Sequence, residues 1–153
     1  MFVGICYLVS LMVGTVAVFL QPGPHMLQAV AGTLLRFVLL LGTGIPLVVG
    51  GFGHVFQSDM AARRLGWPAG SPFQKELGFW DLAGGVGAMA AFWLGGDFRL
   101  AMILINSIFW ILAGILHLQH VFRFRNYNAD NSIPAVIDIL VPVTLLVLYW
   151  IAH

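Results

Sequence analysis

The sequence predicts an all-α membrane bundle of about five spanning helices, and three observations carry that prediction. Hydrophobic residues make up 60% of the 153 residues and charged residues only 8%, where a soluble domain carries about a quarter charged. Mean hydropathy is +0.95. The apolar residues fall into runs close to the roughly 20 residues that one crossing requires, separated by short polar stretches. Such a chain has room for one compact domain, residues 1–153, and its solvent is lipid.

Helix 1 is expected over residues 2–20. No Lys or Arg precedes it, and the run is too long and unbroken for the apolar region of a signal peptide, so it is read as a retained helix. Gln21-Pro22-Gly23-Pro24 ends it. His25 to Gly32 is read as a short interfacial turn. Helix 2 is expected over 33–65, with its lipid-crossing part ending near Phe56. Gly66 then sits at the C′ position, followed by Pro68. Pro46 interrupts the ladder at mid-membrane and frees the carbonyl of Gly42.

Helix 3 is expected over 72–94, its start marked by Ser71-Pro72-Phe73-Gln74, a capping box with proline at the first helical position. After the Gly95-Gly96 turn, Asp97 is the expected N-cap of helix 4, over 98–122. Helix 5 is expected over 133–151, capped by Asn131 or Ser132. The 18 glycines are many for the length, and Gly50-Gly51-Phe52-Gly53 and Gly84-Gly85-Val86-Gly87 read as close-packing surfaces between helices. No strand precedes either run, so neither is a nucleotide loop.

A cytoplasmic N-terminus places Arg63, Arg64, Lys75, Arg123 and Arg125 on the cytoplasmic side and only Arg36 and Arg99 on the other. That bias fits the positive-inside rule and puts the C-terminus outside. Net charge is +1 with no basic patch, so nucleic acid is not an expected partner. The lone Cys6 reads as a small hydrophobe in a helix.

Ionisable residues at membrane depth are costly and need a reason. His54, Asp81, His117, His120 and Asp138 are such residues, all toward the cytoplasmic ends of their helices. On helix 4, Asn106, Ala113, His117 and His120 share a stripe. Helix 3 groups Gln74, Asp81, Gly85 and Ala88, and helix 2 groups Gly50, His54 and Ser58. A polar cavity in the cytoplasmic half follows, with His54, Asp81, His117, Asp138 and Asn106 as ligand-binding candidates. Imidazole and carboxylate also suit a metal, with His54, His117 and His120 as ligands, or an axial haem pair. A plain His–Asp clamp between helices is the bland alternative. Asp59, Arg63, Arg64, Lys75 and Glu76 read as solvated. Trp67, Trp80, Trp110 and Trp150 read as interfacial belt residues.

One stretch resembles a known family. Gly53-His54-Val55-Phe56, then Leu65-Gly66-Trp67-Pro68-Ala69-Gly70-Ser71-Pro72-Phe73-Gln74-Lys75-Glu76-Leu77-Gly78, is similar to small prokaryotic polytopic membrane proteins of unassigned function, loosely similar to the DoxX-like group. Asp81-Leu82-Ala83 with Gly85, Ala113-Gly114 with His117, and Asp138-Ile139-Leu140-Val141-Pro142 extend the match over Phe52 to Pro142, leaving helix 1 outside it. The resemblance implies a multi-pass protein of the cell membrane and picks out His54, His117 and Asp138, but not His120. It brings no reaction.

The function expected is therefore an integral membrane protein whose His/Asp site binds a lipid-like or quinone-like ligand. The alternatives are a metal- or haem-binding redox protein using His54 and His117, or an accessory subunit packing on a larger complex. The expected partners are the lipid bilayer, a small hydrophobic ligand, and a second copy or a larger complex. No Ser-His-Asp order, phosphate loop or paired catalytic glutamates point to hydrolysis or phosphoryl transfer. The pattern names no particular cofactor and leaves open whether the chain is an enzyme.

Overall fold

The computed structural model describes residues 2–21 and 26–153, and these form helices and connecting turns without a strand. The helices are α1 (Phe2–Phe19), α2 (Leu27–Phe56), α3 (Ser58–Leu65), α4 (Phe73–Ala90), α5 (Gly96–Phe124) and α6 (Ala129–Ala152). Four of them, α1, α2, α5 and α6, are long and apolar enough to cross a membrane. The fifth expected crossing, α4, carries Lys75, Glu76 and Asp81 within 18 residues, and is not among those four.

The expected Pro22-Gly23-Pro24 break and His25 lie outside the described residues. Leu27 to Gly32 is not a separate turn but the start of α2. That helix is not uniform. Residues Val38–Gly44 form a π-helical segment, and the N–H of Ile45 reaches back to the carbonyl of Leu40. Pro46 follows directly. A proline cannot donate to the turn before it, and a wider turn accommodates the interruption. The expected continuous helix to residue 65 breaks at Gln57, whose backbone leaves the helical region (φ −132°, ψ 35°). Ser58 therefore leaves the Gly50–His54 face. At Gly66 the left-handed conformation expected of a C′ glycine is present (φ 72°), and the Trp67 N–H bonds the Ala62 carbonyl.

α2 is central. Its N-terminal part packs on α1 and α6, its π segment on α1 and α4, and its C-terminal part on α4, while α5 pairs mainly with α6. The α2–α4 contact is backbone on backbone. A Cβ added at Gly51 would lie 2.8 Å from the Gly78 carbonyl and 2.9 Å from the Leu82 nitrogen. One at Gly85 would lie 2.9 Å from both the Gly44 carbonyl and the Val48 nitrogen. Gly44 thus faces Gly85 and Gly51 faces Gly78, an antiparallel pairing of small residues at a seven-residue spacing. Of the glycines expected to pack, Gly51 and Gly85 do so on backbone and Gly84 and Gly87 on the Asn106 and Met102 side chains, whereas Gly53 has open space beside it. Trp110, read as a belt residue, is 4% exposed and belongs to the core with Leu47, Ile103 and Val141.

At the far end of α4, two arginines satisfy its last carbonyls. Arg36 Nε donates to the Phe92 carbonyl (3.0 Å) and its guanidinium lies over the Phe92 ring (4.6 Å). Arg99 Nε donates to the Ala91 carbonyl (2.9 Å). Positive charge at a helix C-terminus complements its dipole, and both arginines gain acceptors that lipid does not supply.

Three N-terminal caps differ from the sequence reading, that of α6 among them. α4 has no side-chain cap, because Pro72 occupies the N-cap position and offers no side-chain acceptor, and the Gln74 amide lies toward His54. α5 begins at Gly96, so Asp97 lies in its first turn rather than capping it.

The glycine contact makes a direct prediction. Gly51→Ala forces two backbones apart and lowers stability by about 2 kcal/mol, read as a lower Tm in mild detergent. Gly53→Ala meets nothing within 4 Å and is neutral or mildly stabilising. Equal effects at the two positions would contradict the packing described.

Candidate functional site

Four ionisable side chains from four helices line one cavity of about 390 Å³: His54 of α2, Asp81 of α4, His117 of α5 and Asp138 of α6. Leu47, Leu77, Phe109, Trp110, Leu112 and Leu116 supply much of the remaining wall, with Pro46, Gly50 and Trp67 beside the polar groups. Both aspartates are buried, Asp81 at 6% and Asp138 at 9% exposure. Gly50 opposes Asp81, and a Cβ there would sit 3.9 Å from Asp81 Oδ2. No side chain at Gly50 fills the space in front of that carboxylate.

His117 is the most constrained member. Its Nδ1 lies 2.9 Å from Asn131 Oδ1, and Trp67 Nε1 donates to that same oxygen (3.2 Å). The Asn131 amide nitrogen donates to the carbonyls of Asn126 (3.1 Å) and His117 (3.3 Å). Two carbonyls accept only, and an indole N–H donates only, so the amide orientation is fixed. Oδ1 is then the acceptor, and His117 Nδ1 carries a proton. In the neutral ring, Nε2 presents a lone pair toward Asp138 Oδ2, 3.9 Å away, beyond hydrogen-bond range. His54 Nδ1 stands 3.5 Å from Gln74 Oε1, at the outer limit of a hydrogen bond.

Two of the expected ligand-binding and metal candidates fall elsewhere. Asn106 does not line the cavity. It lies three turns away on α5, donates to the Met102 carbonyl (2.8 Å), and its Oδ1 packs against Gly84. His120 packs at a tilt on Trp67, ring centroids 4.5 Å apart, and on Phe124. Trp67 also packs on His117, at 5.1 Å, and joins the cavity wall. Among the described residues, no three His, Cys, Asp or Glu side chains are placed to share an ion. The expected trio of His54, His117 and His120 does not converge, since His120 is held on Trp67. The Asn131 contact at Nδ1 leaves His117 Nε2 as the nitrogen that an iron or other metal would take.

Asn131, expected as a helix cap, is instead a fully buried hub inside α6. The cap is Asn128, which accepts from the Asp130 N–H (3.2 Å). Asn126 donates to the Leu65 carbonyl (2.6 Å), tying the α5–α6 loop to the end of α3. Asp59, read as solvated, accepts from the Gly70 N–H (2.9 Å) and holds the loop that carries Trp67. The signal for these residues was present as three asparagines within six positions, 126–131, and as Trp67 inside the most distinctive segment of the chain.

Fold and cavity together define a small helical protein with four helices apt for a membrane and a polar-tipped apolar pocket at one end. The chain belongs to a family of unknown function, DUF6790, whose model matches residues 1–153. The match takes in α1, which the sequence resemblance had left outside. No curated protein and no solved structure matches the chain.

The Asn131 hub yields a second prediction. Asn131→Ala leaves the Trp67 and His117 side-chain N–H groups without their acceptor and the Asn126 carbonyl without this donor, and costs about 3 kcal/mol, measured by thermal unfolding. Trp67→Phe removes one donor, keeps the ring stack, and costs about 1 kcal/mol. A Trp67→Phe loss as large as that of Asn131→Ala would show that the indole, not the amide, holds this end together.

Proposed function

We propose that this chain is a multi-pass membrane protein that binds a lipid-like or quinone-like molecule in the cavity between α2, α4, α5 and α6. The observation that carries the reading is one cavity whose wall is largely apolar and whose ionisable lining groups, among the described residues, are His54, Asp81, His117 and Asp138. An apolar pocket with a few convergent polar groups is the common form of a small-molecule site. Its volume, about 390 Å³, matches a ring or a short stretch of chain. Buried carboxylates in a membrane protein carry a cost that function repays.

The bundle crosses five times in this reading. α4 runs antiparallel to α2 with Gly85 at Gly44 and Gly78 at Gly51, so it shares the depth of a helix long enough to span. The basic-residue bias supports a cytoplasmic N-terminus and an external C-terminus, with the cavity toward the cytoplasm. A reporter active only in the cytoplasm is then active when fused after Gly70 and inactive after His153. The same activity at both positions would remove the fifth crossing.

The ligand test uses protein extracted with its surrounding lipid in a styrene–maleic acid disc. Organic extraction and mass spectrometry of wild type should return a near-stoichiometric hydrophobic molecule enriched over bulk lipid. His54 makes one long side-chain contact, so His54→Ala should keep its Tm and lose the molecule. A wild-type protein that carries no enriched molecule would overturn the proposal.

A further inference from the structure

The polar end of the cavity is built from acceptors. Asp81 is 6% exposed, lines the cavity, and makes no hydrogen bond or ion pair to any described residue. Asp138 faces His117 Nε2 across 3.9 Å. Because Asn131 holds the proton on Nδ1, that gap separates a carboxylate from an imidazole lone pair. With Asp138 ionised, neither can donate to the other, and a donor placed between them would satisfy both. No Lys or Arg lines the cavity. Trp67, Phe109 and Trp110 do, and aromatic faces attract cations.

From this arrangement we infer that the cavity selects a molecule with a protonated amine head on an apolar body, the ammonium lying among Asp81, Asp138 and His117 Nε2. This deepens the ligand-binding reading above and rests on it. The two carboxylates supply the countercharge that a buried cation requires. Three ammonium hydrogens match three separate acceptors. A head group led by phosphate or carboxylate would meet two aspartates and no Lys or Arg, and is disfavoured. A quinone carbonyl, an acceptor itself, would meet further acceptors at this end. The amine can come from a small lipophilic amine or from an aminolipid head group.

The test uses the full chain in phosphatidylcholine nanodiscs and two photoreactive alkyl diazirines of equal length, one ending in a primary amine and one in an alcohol. Labelling of peptides carrying Leu77 and Leu116 is divided by labelling of the exposed Leu8, Met12 and Val16 face of α1, away from Val3 at the cavity, which corrects for partition into lipid. The amine should label the cavity peptides about tenfold more than the alcohol, the equivalent of one strong charge-assisted contact. Asp81→Asn and Asp138→Asn, both isosteric, should each remove most of that preference while alcohol labelling stays unchanged.

Equal labelling by amine and alcohol in wild type would overturn the ammonium assignment and leave the ligand cavity standing. Cavity labelling no higher than that of α1 with both probes would overturn the assignment together with the ligand-binding reading. Replacing part of the phosphatidylcholine with phosphatidylethanolamine separates the two sources. Loss of amine labelling would support an aminolipid head group as occupant, and retained labelling would support a small free amine.

Discussion

The bundle depends on the backbone contact between α2 and α4. In lipid, helices gain little from burying apolar side chains, because the surrounding tails are equally apolar. Close approach through small residues supplies the packing instead, and here Gly44, Gly51, Gly78 and Gly85 bring two backbones together. That contact has a positional result. It aligns Gly50 with Asp81, so a carboxylate on one helix stands before a gap on the other. The cavity begins at that gap, and α5 and α6 complete it with His117 and Asp138.

A second constraint acts on the same end of the molecule. Polar groups removed from water must find partners, and here one amide serves several. Asn131 accepts from the side chains of Trp67 and His117 and donates to two carbonyls. It thereby fixes the ring orientation of His117 and the place of Trp67, and joins α6 to α5 and to the loop after α3. The rigidity is local to one side of the cavity. Across it, His54 has one long contact and Asp81 has none among the described residues. A site with one clamped wall and one uncommitted wall suits a molecule that supplies the missing partners. The opposite end of α4 is closed differently, by Arg36 and Arg99 on its final carbonyls.

Much of the site was legible because helical periodicity is a local property. Placing His117 with Ala113, and His54 with Gly50, needed only the 100° step between residues, and both pairs line the cavity. Asn106 shared that stripe, yet it sits three turns away along α5, and angular position says nothing about depth. His120 shared it too, but Trp67 arrives from a loop to cover it. Gln74 had the spacing of a capping box, and its proximity to His54 depends on how α2 and α4 pack, which no local pattern records.

The sequence by itself determined that the chain is helical, that most of its long helices are apolar enough for lipid, and that an ionisable residue recurs toward one end of several of them. These follow from composition and from periodicity along single helices. Only the tertiary structure decided which glycines touch, that Asn131 is a buried hub rather than a cap, that Trp67 lines a cavity, and that His117 faces Asp138 with a lone pair. Each of those depends on the separation of backbones from distant parts of the chain, set by side-chain volume at the contacts. Sequence spacing carries the angle of a residue around its own helix, and packing alone supplies the distance to the next one.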